Sequence, residues 1–154
     1  MSTTESAPTT GSTAVDPRAE RMLRTLGVAM VIALLAELLL GMANAFWLSV
    51  PESGSGWKTA SPQALLSAHV LLGIAIAVLG VWIAVAAWRR RSRGWLLASA
   101  AGIAGILAGF GGGSAFMGDV SNDTASFIMA AGCAVSIGAY AVGAALIGRS
   151  AAAD

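Results

Sequence analysis

Charge is what this chain of 154 residues has least of. Only 11% of its residues are Asp, Glu, Lys or Arg, while 56% are hydrophobic. A soluble domain carries about 25% charge, so a surface this poor in charge excludes an ordinary water-soluble fold. The net charge of +1 leaves no broad basic field, which excludes a nucleic-acid partner. The single cysteine, Cys133, excludes an internal disulfide and any CxxC zinc or redox site. The single histidine, His69, has no second His or Cys at its depth with which to assemble tetrahedral zinc. No Ser/His/Asp or Cys/His constellation supports nucleophilic catalysis, so the sequence leans away from an enzyme.

What is present is long apolar runs. Residues 2–17 are rich in Ser, Thr and Pro and too polar to offset ordering entropy, so 1–22 reads as a disordered tail with a basic flank. Four runs follow, at about 23–48, 63–88, 95–117 and 125–147, with a short tail at 149–154. At 1.5 Å per residue each is long enough for a hydrocarbon core of about 30 Å. Period-2 alternation is absent, which disfavours strands. Pro62 and the segment SNDT, 121–124, are helix-entrance signals. Short connections make sequential helices antiparallel neighbours. The expected fold is therefore all-α: a polytopic membrane protein built as an antiparallel up-down bundle of four transmembrane helices over 23–148.

The few charges are sorted. Arg18, Arg21, Arg24, Arg89, Arg90, Arg91, Arg93 and Arg149 fall on one side of a four-helix threading, and Lys58 alone falls on the other. The positive-inside rule then places both termini in the cytoplasm and the chain in the inner (plasma) membrane. Trp47 and Trp57 fit an outer aromatic belt, and Trp88 and Trp95 an inner one.

Small and polar residues share helix faces. Ala98, Gly102, Gly105, Gly109, Gly112 and Phe116 lie within a sector of about 80° on the third helix. His69, Gly73, Gly80 and Ala84 share a face of the second, Glu37, Gly41 and Asn44 one of the first, and Met129, Cys133, Ser136, Tyr140 and Gly143 one of the fourth. Such stripes are the usual packing seams of membrane bundles. The run GFGGG, 109–113, is denser than packing alone requires, and it would also let a backbone approach a flat ligand.

Counting inward from the outer ends puts His69, Met129, Asn44 and Gly112 in one layer about 9 to 10 Å below the boundary, with Glu37 about 10 Å deeper. Glu37 is the most expensive residue, since a charged group at a helix centre costs about 2.5 to 3.5 kcal/mol on insertion scales. It is either a neutral carboxyl bonded to a neighbouring helix or a proton-handling, ligand-polarising group. His69 is either an inter-helix hydrogen-bonding residue or an axial haem ligand, imidazole being a common haem ligand. Met129 is either a core methionine or a second axial ligand.

The stretch ELLLGMANAFWLSVP, 37–51, followed by ALLSAHVLLGIAIAVLG, 64–80, resembles the first helix pair of the haem A synthase family. The resemblance covers about 45 residues. It puts Glu37 at a position where the family usually has Gln, Gly41 at the family's glycine and His69 at its haem-ligand position. That family is similar to two fused four-helix bundles with paired histidines. Here Met129 stands near the place of the second histidine, and the family's Glu-x-x-His-Arg element is absent. The resemblance therefore implies a relative that binds haem b rather than an active synthase, with bis-His ligation only in a homodimer.

The function expected first is thus electron transfer or haem handling near the outer face. His69 is the axial ligand, with Met129 or a second copy's His69 opposite. Asn44, Gly109, Gly112 and Phe110 belong to the pocket, Phe46, Phe116 and Phe127 complete its wall, and Trp57 and Lys58 cover the propionates. Two alternatives stand beside it: a non-catalytic scaffold subunit of a larger membrane complex packing through its glycine seams, and a small transporter using Glu37 as a proton-linked carboxylate.

Overall fold

The computed structural model describes residues 17–47, 55–56 and 64–150, without the side chains of 17, 19, 45–47 and 146–150. Expectations for residues 2–16, for the side chains of Phe46, Trp47 and Arg149, and for Trp57, Lys58 and Pro62 lie outside the described residues. Four helices make up the rest: α1, Pro17–Trp47; α2, Ala64–Arg89; α3, Arg93–Gly118; and α4, Asp123–Ser150. Each contains a stretch long and apolar enough to cross a membrane, at Glu20–Asn44, Ala64–Arg89, Arg93–Gly118 and Asp123–Ala145. The protein is a multi-pass membrane protein of the all-α class, with no strand among the described residues.

Two helices outrun the apolar spans. α1 begins at Pro17 rather than near Leu23, because proline's fixed φ and missing N–H suit a first helical position and the arginine-bearing turn after it can project beyond hydrocarbon. α4 likewise continues to Ser150. α1 packs on α2 and α4, and α3 packs on α2 and α4, so the helices close into a ring in chain order.

The inward face of α1 is Leu23, Gly27, Met30, Leu34, Glu37, Gly41 and Asn44, at steps of four and three. Gly73, Ile76, Gly80, Ile83 and Ala87 of α2 are buried at the same rhythm. That average of 3.5 residues is the seam of left-handed helix packing. Large apolar residues such as Leu39, Leu71, Leu97 and Phe127 point outward, about two-thirds or more exposed. In water this would be an error; in lipid it is the expected solvent-facing surface.

Large rings inside the bundle sit on glycines. Trp95 and Tyr140 are fully buried. A Cβ at Gly27 would collide with the Trp95 indole, and one at Gly143 would come 3.1 Å from it. A Cβ at Gly102 would collide with the Tyr140 ring, and one at Gly80 would lie 3.0 Å from its hydroxyl. Trp95 therefore fills a space between α1 and α4 instead of joining an interfacial belt. Trp88, 74% exposed, lies on the bundle surface at the arginine-rich end, compatible with the inner belt expected of it.

The expected small-residue seam of α3 packs on α4. A Cβ at Gly105 would meet Ser136 Oγ and the Gly132 carbonyl, and one at Gly112 would meet the backbone at Ala125 and Met129. Ser136 Oγ donates to the carbonyl oxygens of Gly102 and Gly132, both at 2.9 Å. This is the closest helix pair, and the missing side chains make that approach sterically allowed.

The turns are well specified. α2 ends with Ser92 N–H donating to the Ala87 carbonyl at 3.1 Å and Arg91 N–H to the Trp88 carbonyl at 3.0 Å, with Arg91 at φ 54°. That is a Schellman ending with arginine where glycine is usual. At the other end of the bundle Asn122 Oδ1 accepts from Ala125 N–H at 3.0 Å and caps α4, as the SNDT segment suggested. There the α1–α2 loop touches the α3–α4 turn, with Gly56 N–H donating to the Met117 carbonyl at 2.9 Å. One end is thus rich in arginine and holds the start of α1 and the end of α4; the other holds the two longer connections between helices.

Candidate functional site

The site lies between α1 and α2, in the half nearer the loop end. The antiparallel register sets Asn44 against Leu65, Gly41 against His69 and Glu37 against Gly73. Asn44 Nδ2 donates to the Leu40 carbonyl at 2.9 Å in its own helix and to the Leu65 carbonyl at 3.4 Å across the interface. One turn further in, Gly41 leaves room for the imidazole: a Cβ there would lie 3.2 Å from His69 Cε1. Another turn in, a Cβ on Gly73 would lie 3.1 Å from Glu37 Oε1 and 3.2 Å from Phe110 Cζ of α3. Helix geometry alone dictates this ladder, because residues three and four apart share a face.

His69 Nδ1 and Glu37 Oε1 are 3.0 Å apart, with 24% and 16% of the two side chains exposed. The separation is that of an ion pair, yet the two groups are not aligned as a hydrogen bond, and Nδ1 is buried without a hydrogen-bond partner. Glu37 Oε2 and Asn44 Oδ1 are likewise buried without a partner. His69 Nε2 lies 3.9 Å from the position of a Cβ at Gly41, and 24% of the His69 side chain is exposed. One ring nitrogen, Nδ1, faces the Glu37 carboxylate. Among the described residues, no three His, Cys, Asp or Glu side chains gather to hold a metal ion.

The depth count set Glu37 a level below His69, and the structure brings them together. The difference is one of register, since α1 and α2 are displaced by about one turn from the alignment that matched Asn44 with His69. Phe110 reaches the pair through Gly73. Gly109 and Gly112 do not join it: the space beside Gly112 is taken by the α4 backbone, and Gly109 lies across from Gly132. Met129 is on α4 facing α3, with Sδ 3.5 Å from a Cβ at Gly113, whereas His69 is on α2 facing α1. Phe127 is 73% exposed and points away from the bundle. Cys133 is half-buried with a free thiol.

No protein-family model, curated protein or solved structure matches the chain. Sequence reading missed Gly73 as the floor beneath Glu37. It also missed Ser99 Oγ, Trp95 Nε1 and Tyr140 OH, which are buried without partners toward the arginine-rich end. The signal available for Gly73 was its step of four from His69, matched by the step of four between Glu37 and Gly41.

Proposed function

We propose that this membrane protein binds haem b through His69 Nε2, with Glu37 holding the imidazole from its Nδ1 side, for electron transfer or haem handling. The observation that carries the reading is the 3.0 Å approach of Glu37 Oε1 to His69 Nδ1, which leaves Nε2 as the ring nitrogen not turned to the carboxylate. A metal-binding histidine almost always directs its other nitrogen to a carboxylate or carbonyl, which fixes tautomer and ring orientation. Gly41 and Gly73 make room for the ring and the carboxylate, so this chain's own residues orient the ligand atom before anything binds. Bound haem would supply one-electron redox chemistry at its iron, with His69 holding the group. Met129 belongs to the α3–α4 seam, so a second copy's His69, or no sixth ligand, fits this arrangement better than Met129 does. The positive-inside rule puts the loop end, and with it the site, outside the cytoplasm.

The test is the absorption spectrum of the detergent-purified protein, expressed with haem available and then reduced. A Soret band is expected. His69→Ala abolishes it, and Glu37→Gln weakens haem affinity by about 10- to 100-fold. Absence of a band in the wild type overturns the reading.

A second reading, proton-linked transport, is favoured by one further observation: Glu37 Oε2 is buried without a partner, as in carboxylates that exchange protons within a membrane. Proton flux into liposomes that Glu37→Gln abolishes, in a protein without a Soret band, would select it. A scaffold role through the α3 glycines has less support, since α4 occupies that face.

A further inference from the structure

The arginine-rich end carries a second feature that the proposed function does not use. A groove of about 900 Å³ opens between α1 and α2 on the outer surface of the bundle. Its length is lined by Ala77, Val78, Val81, Trp82 and Val85 of α2, and Met22 of α1, Arg89 and Arg90 stand at its mouth. Arg90 Nη2 points at Met22 Sδ, 4.0 Å away, across that mouth. Among the described residues no carboxylate lies within ion-pair distance of Arg89 or Arg90.

We propose that this groove holds one anionic glycerophospholipid, with an acyl chain along α2 and the headgroup phosphate on Arg89 and Arg90. Three observations select this occupant. The walls are aliphatic or aromatic, with Val78 and Trp82 about two-thirds exposed, which suits a hydrocarbon chain. From Ala77 to Arg89 the groove runs about 18 Å along the helix, close to the depth of one leaflet, which is half of a core about 30 Å thick. The guanidinium pair lies only at the end where a headgroup would be, and arginine recognises phosphate through paired donors. A helix from a second copy would match the apolar wall but would leave both charges unanswered.

The full chain in detergent is titrated with phosphatidylglycerol and, separately, with phosphatidylcholine, each carrying brominated acyl chains that quench tryptophan. Phosphatidylglycerol is expected to bind more tightly, by roughly 5-fold for each arginine engaged. R89Q/R90Q lowers its affinity to that of phosphatidylcholine, R89K/R90K keeps most of the preference, and R93Q, outside the groove, leaves it unchanged. W82F lowers the quenching, with the exposed Trp88 on the same helix supplying part of the remainder. Inorganic phosphate does not compete at equal concentration. Equal binding of the two lipids, an R93Q loss as large as that of R89Q/R90Q, or a dimer whose contact shields Trp82 from both lipids would overturn the proposal. These results are read without haem, so they stand or fall separately from the His69 site.

Discussion

At the scale of single residues, polar groups are placed where one short contact defines them. In the α3–α4 turn Ser121 donates to Asp119 Oδ1 through its hydroxyl at 2.7 Å and its N–H at 3.1 Å. Both bonds favour the ionised carboxylate, the hydroxyl more, and hold Asp119 below the ordinary aspartate range. A carboxyl depressed in this way contributes stability that is complete above the ordinary range and is lost as pH falls through its lowered value. NMR titration of the Asp119 carboxyl should show the low midpoint, and Ser121→Ala should return it toward the ordinary range; an unchanged midpoint would assign the shift to something else. The cap at Asn122 was legible in the SNDT segment because capping depends on neighbours in the chain. The contact of Glu37 with His69 was not, because it depends on how far α1 slides along α2, and no local signal records that.

At the scale of elements, the recurring unit is a ring seated on a glycine from another helix: His69 on Gly41, Phe110 on Gly73, and Tyr140 on Gly80 and Gly102. The stripes of small residues were visible in the sequence, but their partners were not. Trp95 illustrates why. Its place depends on Gly27 and Gly143, from two helices far from it in sequence, and a tryptophan beside a basic turn otherwise reads as a belt residue. The seats make a graded expectation. Gly102→Ala forces a methyl group into the Tyr140 ring and should destabilise by about 1 to 3 kcal/mol. Gly138, with open space around it, should accept alanine at no cost, since alanine is the better helix former by about 1 kcal/mol. Thermal unfolding of both variants in the same detergent measures the difference, and equal losses would contradict the seating.

For the whole molecule, the many large apolar residues on the outer surface follow from lipid as solvent, and they were readable in the poverty of charge. The ring order of the helices was readable from short connections. What composition did not reveal is the division of labour between the two hairpins: α3 and α4 meet through backbone, while α1 and α2 meet around ionisable side chains. Reporter fusions at the C-terminus should be active only on the cytoplasmic side if the arginine-rich end obeys the positive-inside rule. Replacing Arg89, Arg90, Arg91 and Arg93 together should yield a mixed orientation, and an unaltered one would mean that α1's arginines suffice.

The approach of Glu37 to His69 also bears on how the chain enters a bilayer. During synthesis α1 emerges with a carboxyl near its centre and nothing yet to cover it, a penalty of about 2.5 to 3.5 kcal/mol for a charged group. Only when α2 follows do His69 and Gly73 enclose that group. Release of α1 into lipid is therefore favoured as a joint event, with the two helices leaving the insertion machinery side by side as a preassembled hairpin.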